Sequence, residues 1–128
     1  MAHKAIQEWI EISQYDLQTA EAMFDSGRYL YVVFMCQQAV EKILKAIYVQ
    51  KKNELPPRTH NLLYLVDILK LDIDESKRIL FAQLNQFYLE SRYPGERNRL
   101  AKEMDKNKSL NYLNKTKQAW KCLKQIFL

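Results

Sequence analysis

The densest hydrophobic pattern of the chain lies in residues 29–52. Advancing about 100° per residue, Val33, Cys36, Val40, Ile43, Leu44 and Ile47 fall on one broad face. Gln38, Glu41, Lys42 and Lys45 fall together on a narrow opposite stripe, at spacings i, i+3, i+4 and i+7. So wide an apolar arc predicts the central helix of its domain. Polar groups on such a helix need partners or a ligand. The simplest reading of the stripe is a solvated edge. Glu41 and Lys45 would then form an ordinary i,i+4 pair contributing about 0.2–0.5 kcal/mol.

The same periodicity predicts helices elsewhere. Over 4–26, Ile6, Trp9, Ile10, Leu17, Ala20 and Phe24 recur at helical steps, and Gly27 is placed to be a left-handed C-cap. Pro56 and Pro57 make residues 53–58 a stiff, non-helical connection. Thr59 is positioned to N-cap a short third helix carrying Leu62, Leu65, Val66 and Leu69. Asp72 or Asp74 can cap a fourth, with Leu80, Leu84, Phe87 and Tyr88. Residues 92–108 are polar and poor in core positions; they predict a loop with one helical turn at 100–104. A last helix covers 107–127, its apolar face formed by Leu110, Leu113, Trp120, Leu123 and Phe127.

No segment alternates as a strand does, and the two glycines and three prolines punctuate helices. The expected fold is all-α: one domain over residues 1–128, an up-and-down antiparallel bundle of four long helices plus one shorter helix.

Composition narrows the function. A chain of 128 residues with 48% hydrophobic content buries a real core and is not disordered. A formal charge of +5 permits an anionic partner without demanding one. Cys36 and Cys122 sit in apolar helical patterns without further Cys or His at metal-ligand spacing, so they are expected to be reduced, and no metal site is expected. No apolar run approaches the roughly 20 residues of a membrane span, and Glu8 and Glu11 interrupt any apolar leader core, so a cytoplasmic setting without membrane is expected. There is no nucleophile elbow and no Gly-rich phosphate loop, and no cofactor is expected.

Two features carry candidate chemistry. Arg92 closes the fourth helix, where the helix dipole favours a cation. Pro94 and Gly95 then set a turn, and Arg97 and Arg99 add guanidinium forks suited to phosphate oxygens. Tyr88 and Tyr93 offer an aromatic surface for a base. His60, beside Thr59, reads either as a first-turn residue that packs the helix start or as a hydrogen-bonding group at the end of the bundle.

These residues together resemble the HEPN family of small helical-bundle proteins. The resemblance rests on Trp9, Asp16-Leu17 and Ala20; on Gln37-Gln38-Ala39-Val40-Glu41-Lys42 with Lys45-Ala46; on Thr59-His60-Asn61-Leu62; and on Arg92-Tyr93-Pro94. It covers nearly the whole chain. It implies a helical bundle, a homodimer, a cytoplasmic setting, and nucleotide or RNA chemistry. It further implies a minimal nucleotidyltransferase partner, often in a toxin–antitoxin pair. Active members are metal-independent ribonucleases carrying an Arg followed, after four to six residues, by a His.

Here the sequence departs. The positions where that His would fall are Arg97, Asn98 and Arg99, and no His follows. The expected function is therefore non-catalytic binding of a nucleotide or phosphate group. Arg92 would hold phosphate, with Tyr93, Lys42, Lys45 and Arg97 assisting and Glu41 orienting the cations or bonding a ribose or base. Two alternatives stay open: a ribonuclease using Arg92 with His60 or Tyr93, and a pure protein-interaction module.

Overall fold

The computed structural model describes residues 2–128. Among them are six helices and no strand: α1 (Ala2–Asp25), α2 (Tyr29–Lys52), α3 (Leu62–Ile68), α4 (Glu75–Glu90), α5 (Pro94–Glu103) and α6 (Lys106–Phe127). The fold is thus all-α, with one helix more than the sequence pattern predicts.

Helix α1 stops where Gly27 takes φ +77°, a conformation that strains any side chain. Arg28 N–H then reaches back to Met23 O at 2.8 Å and Gly27 N–H to Phe24 O at 3.1 Å, closing a Schellman cap. This reversal lays α2 alongside α1. Helix α2 packs against each of the other five helices, and fourteen of its 24 residues are buried. It is central because it has almost no face that water can use. A polar junction ties three helices together: Trp120 Nε1 donates to Ser13 Oγ (2.7 Å), and Ser13 Oγ donates to Ala39 O (2.5 Å).

The cap of α3 is Asn61, not Thr59. Asn61 Oδ1 accepts from Tyr64 N–H at 3.1 Å, and Thr59 Oγ1 acts one step upstream by accepting from Asn61 N–H at 3.2 Å. The carboxamide satisfies the helix, and the hydroxyl satisfies the turn that leads into it. Asp74 caps α4 by accepting from Lys77 N–H at 2.9 Å. The Lys77 ammonium also bonds the same carboxylate at 2.9 Å, and these hydrogen bonds hold the Asp74 carboxyl well below the usual range.

The expected loop at 92–108 is instead the ten-residue helix α5. Pro94 starts it with a preset φ. Arg99 then bonds Glu96 (2.7 Å), Glu103 (2.8 Å) and, across to α4, Glu90 (2.9 Å). Leu100 and Met104 are buried in a small second core with Leu30 and Val33. A polar segment becomes helical here because its charges pair along the helix and two apolar residues have a place to dock.

Candidate functional site

The polar stripe of α2 is buried at Glu41 and Lys45 and half-buried at Gln38 and Lys42, which overturns its reading as a solvated edge. Glu41 is 1% exposed and Lys45 6%. Burial of this kind is sustained only by full pairing. Glu41 Oε1 receives His60 Nδ1 at 2.8 Å and Gln37 Nε2 at 3.2 Å; Oε2 receives Lys45 Nζ at 3.0 Å. Lys42 Nζ lies 3.7 Å from Glu41 and 3.7 Å from Asp16, and donates to Gln38 Oε1 at 2.9 Å. The Lys45 ammonium also lies 5.7 Å from the Trp9 ring centroid.

Burial acts to raise the Glu41 pKa, but the hydrogen bonds from His60 and Lys45 and the charges of Lys42 and Lys45 outweigh it. The carboxyl is held below its ordinary range. Asp16 goes the other way: burial raises its pKa, and Lys42 offsets only part of that. Glu41 is therefore the ionised anchor of the network.

That anchor fixes a loop. Pro56 and Pro57 stop helix and lead into a turn at Arg58, closed by Thr59 N–H on Pro57 O at 2.9 Å, that sets residues 59–61 against the side of α2. Gln37 Nε2 donates to His60 O at 2.8 Å while Glu41 holds the ring, so His60 is clamped at both ends. Its Nδ1 faces a carboxylate and must carry the hydrogen. The ring's Nε2 has no partner among the described residues, and the side chain is 52% exposed. The imidazole packs on the Tyr88 ring, centroids 4.9 Å apart, and Tyr88 stacks on Phe34 at 5.5 Å. The Arg92 guanidinium lies 5.9 Å from the same Tyr88 centroid.

These residues open onto a cleft of ≈ 360 Å³ lined by Arg58, Thr59, His60, Asn61, Asn85, Tyr88, Leu89 and Arg92. Among the described residues Arg58 and Arg92 make no ion pair, whereas Arg78 pairs with Asp67 and Arg99 with three glutamates. Such a cleft can receive a phosphate on two free guanidinium groups, present a fixed imidazole to it, and lay an aromatic edge and Leu89 against a base or sugar.

The fold thus brings Arg92 and His60 to one place, about the Tyr88 ring. Glu41 stands behind His60 rather than in the cleft. Lys42 and Lys45 are counter-ions of Glu41 and do not line it. Tyr93, 66% exposed, precedes α5 outside the cleft. Arg97 turns to α2, where its guanidinium donates to the Tyr31 hydroxyl and lies 5.4 Å from that ring's centroid. Arg58, Asn61, Asn85 and Gln37 are cleft or support residues that the sequence reading assigned no role in the site. Gln37 and Asn61 belong to the motifs of the family resemblance, Arg58 lies beside His60 after a double proline, and Asn85 carries no signal.

Cys36 and Cys122 form no disulfide, and burial pushes the Cys36 thiol up to about 12. Among the described residues no cluster of His, Cys, Asp or Glu is placed to hold a metal ion, and no helix is long and apolar enough to cross a membrane.

The chain is similar to TT1696 from Thermus thermophilus, whose crystal structure superposes with a TM-score of 0.81 over 94% of this chain and 96% of that one. The two are 20% identical, so this likeness speaks for the fold. No curated protein matches the sequence. The family model for the HEPN domain matches residues 6–126, nearly the full length. The chain belongs to the HEPN domain family.

Proposed function

We propose that the protein binds the phosphate of a nucleotide or of RNA in the cleft between the 58–61 loop and α4. One observation carries this reading. Two guanidinium groups without carboxylate partners and a histidine fixed by a buried glutamate converge on a single cleft. Guanidinium groups without carboxylate partners are suited to hold the oxygens of an anion. Arg58 and Arg92 hold the phosphate, His60 Nε2 accepts a hydrogen bond from a hydroxyl of the ligand, and Tyr88 with Leu89 receives the rest of it. Membership of the HEPN family supports a homodimer acting with a minimal nucleotidyltransferase, a role that leaves the bundle itself non-catalytic.

Isothermal titration with adenosine nucleotides tests the reading. Arg92→Ala and Arg58→Ala are each expected to weaken binding about tenfold or more, the worth of one charge-assisted contact. Unchanged affinity in both variants, or no binding by the wild type, overturns it.

A second reading has its own observation: the Glu41–His60 pair supplies an oriented imidazole in the Arg92 cleft, where the sequence lacks a histidine after Arg92. An imidazole so held can take or give a proton during metal-independent RNA cleavage, with Arg92 stabilising charge at phosphorus. Cleavage of labelled RNA in EDTA, lost in both His60→Ala and Arg92→Ala, is the expected result under that reading. Intact RNA with all three proteins rejects it.

A further inference from the structure

The charge inventory of the cleft is one-sided, and its two amides are fixed in orientation. Asn61 Oδ1 is occupied twice, by Tyr64 N–H at 3.1 Å and Asn85 Nδ2 at 2.9 Å, and Asn85 Oδ1 is occupied by Leu62 N–H at 2.9 Å. Backbone N–H groups can only meet oxygen, so both carboxamides are fixed in orientation. Asn61 has only N–H left to offer, and Asn85 one N–H and one acceptor position. Both oxygens of Glu41 are likewise taken, by His60, Gln37 and Lys45. The Thr59 hydroxyl oxygen already accepts from Asn61 N–H, which leaves its hydrogen to donate. No aspartate or glutamate lines the cleft, and two unpaired guanidinium groups do.

We infer that the cleft selects a phosphomonoester, the terminal phosphate of a nucleotide or of an RNA end, over an internal phosphodiester. This rests on the phosphate-binding reading above and specifies its ligand. Two guanidinium forks and the surplus amide hydrogens call for a group that only accepts. A monoester presents three terminal oxygens and up to two charges, so both forks can engage it at once. A diester presents two oxygens and one charge, which satisfy one fork and leave the other unpaired.

The test compares adenosine 5′-monophosphate with its phosphate methyl ester, by titration calorimetry at about pH 8, where the second phosphate proton is off. The monoester is expected to bind about tenfold tighter. Arg58→Ala and Arg92→Ala are each expected to bring the two ligands within a fewfold of each other. Equal binding of both ligands by the wild type overturns this inference and leaves the phosphate-binding reading standing. Binding of neither overturns both. A short oligoribonucleotide with a 5′-phosphate, set beside the same strand with a 5′-hydroxyl, separates the sources. Tighter binding of the phosphorylated strand than of the mononucleotide identifies an RNA end, and weaker binding identifies a free nucleotide. Both agree with monoester selection, whereas equal binding of the two strands counts against it.

Discussion

Neutralising Glu41 exposes how the centre of the molecule is held. Glutamine at this position keeps an oxygen for His60 Nδ1–H but removes the charge facing Lys45 Nζ at 3.0 Å and Lys42 Nζ at 3.7 Å. Lys45 is 6% exposed, so its ammonium has little water to replace the lost carboxylate. Breaking one partner of a buried pair costs about 3–5 kcal/mol. Because glutamine retains hydrogen bonding, about 3 kcal/mol is expected for Glu41→Gln. That is a large part of the roughly 5–15 kcal/mol typical of a domain, and lowers Tm by about 10 °C. Urea unfolding followed by circular dichroism measures it. The control is Lys45→Met, alone and combined with Glu41→Gln. If Lys45 is the stranded charge, the double variant is more stable than the sum of the singles implies, by about 2 kcal/mol. A cost below about 1 kcal/mol for Glu41→Gln, or strict additivity, would show that Lys45 escapes to water. The stripe would then be a solvated edge after all.

Other outcomes follow from single contacts. Leu100→Ala removes the main apolar anchor of α5 and is expected to cost about 2–4 kcal/mol, with hydrogen-exchange protection lost first in residues 94–103. The Thr116 hydroxyl is buried without a partner among the described residues, so Thr116→Val is expected to gain about 1 kcal/mol, read as a higher thermal midpoint. A carboxyl with a depressed folded pKa contributes stability that is present above its unfolded value and lost as pH falls through the folded one. Glu41 therefore makes the wild type lose stability below its ordinary pKa of 4.5, while Asp16, shifted upward, opposes that loss. The stability gap between wild type and Glu41→Gln is expected to shrink as unfolding is measured from about pH 6 down to about pH 3.

Much of the fold was legible because it follows from periodicity. The apolar arc of α2 marked it as central, and Gly27 and Asp74 marked ends where only special residues serve. Helix α5 was not legible, since its stability comes from Arg99 reaching three glutamates and from Leu100 and Met104 finding a pocket made by α2. The Glu96 and Glu103 spacings are local but are shared by solvated loops, whereas the Glu90 contact and the pocket are not visible in a local window. In the site, Arg92 and His60 stood out as residue types. Their meeting at Tyr88 depends on how a proline-stiffened loop lies across α4, a long-range fact. The burial of Glu41 was hidden for a similar reason: an i,i+4 pair looks the same in a sequence whether water reaches it or not. Gln37 entered only through the family resemblance and Asn85 carried no signal, because an amide is ordinary until its partners are known.

The double hold on His60 divides the cleft into two halves with different freedom to change. Gln37 and Glu41 are side chains of the helix around which the other five are arranged, so an altered residue there disturbs the whole molecule along with the cleft. Arg58 and Arg92 stand on the outer side, exposed and unpaired, and nothing in the core depends on them. Ligand preference can therefore be retuned by substitutions at the outer positions with little loss of stability. The geometry of the imidazole, by contrast, is inherited with the fold. A designer seeking a new specificity on this scaffold would randomise Arg58, Leu89 and Arg92 and leave Asn85, which bonds the first turn of α3, and the α2 stripe untouched.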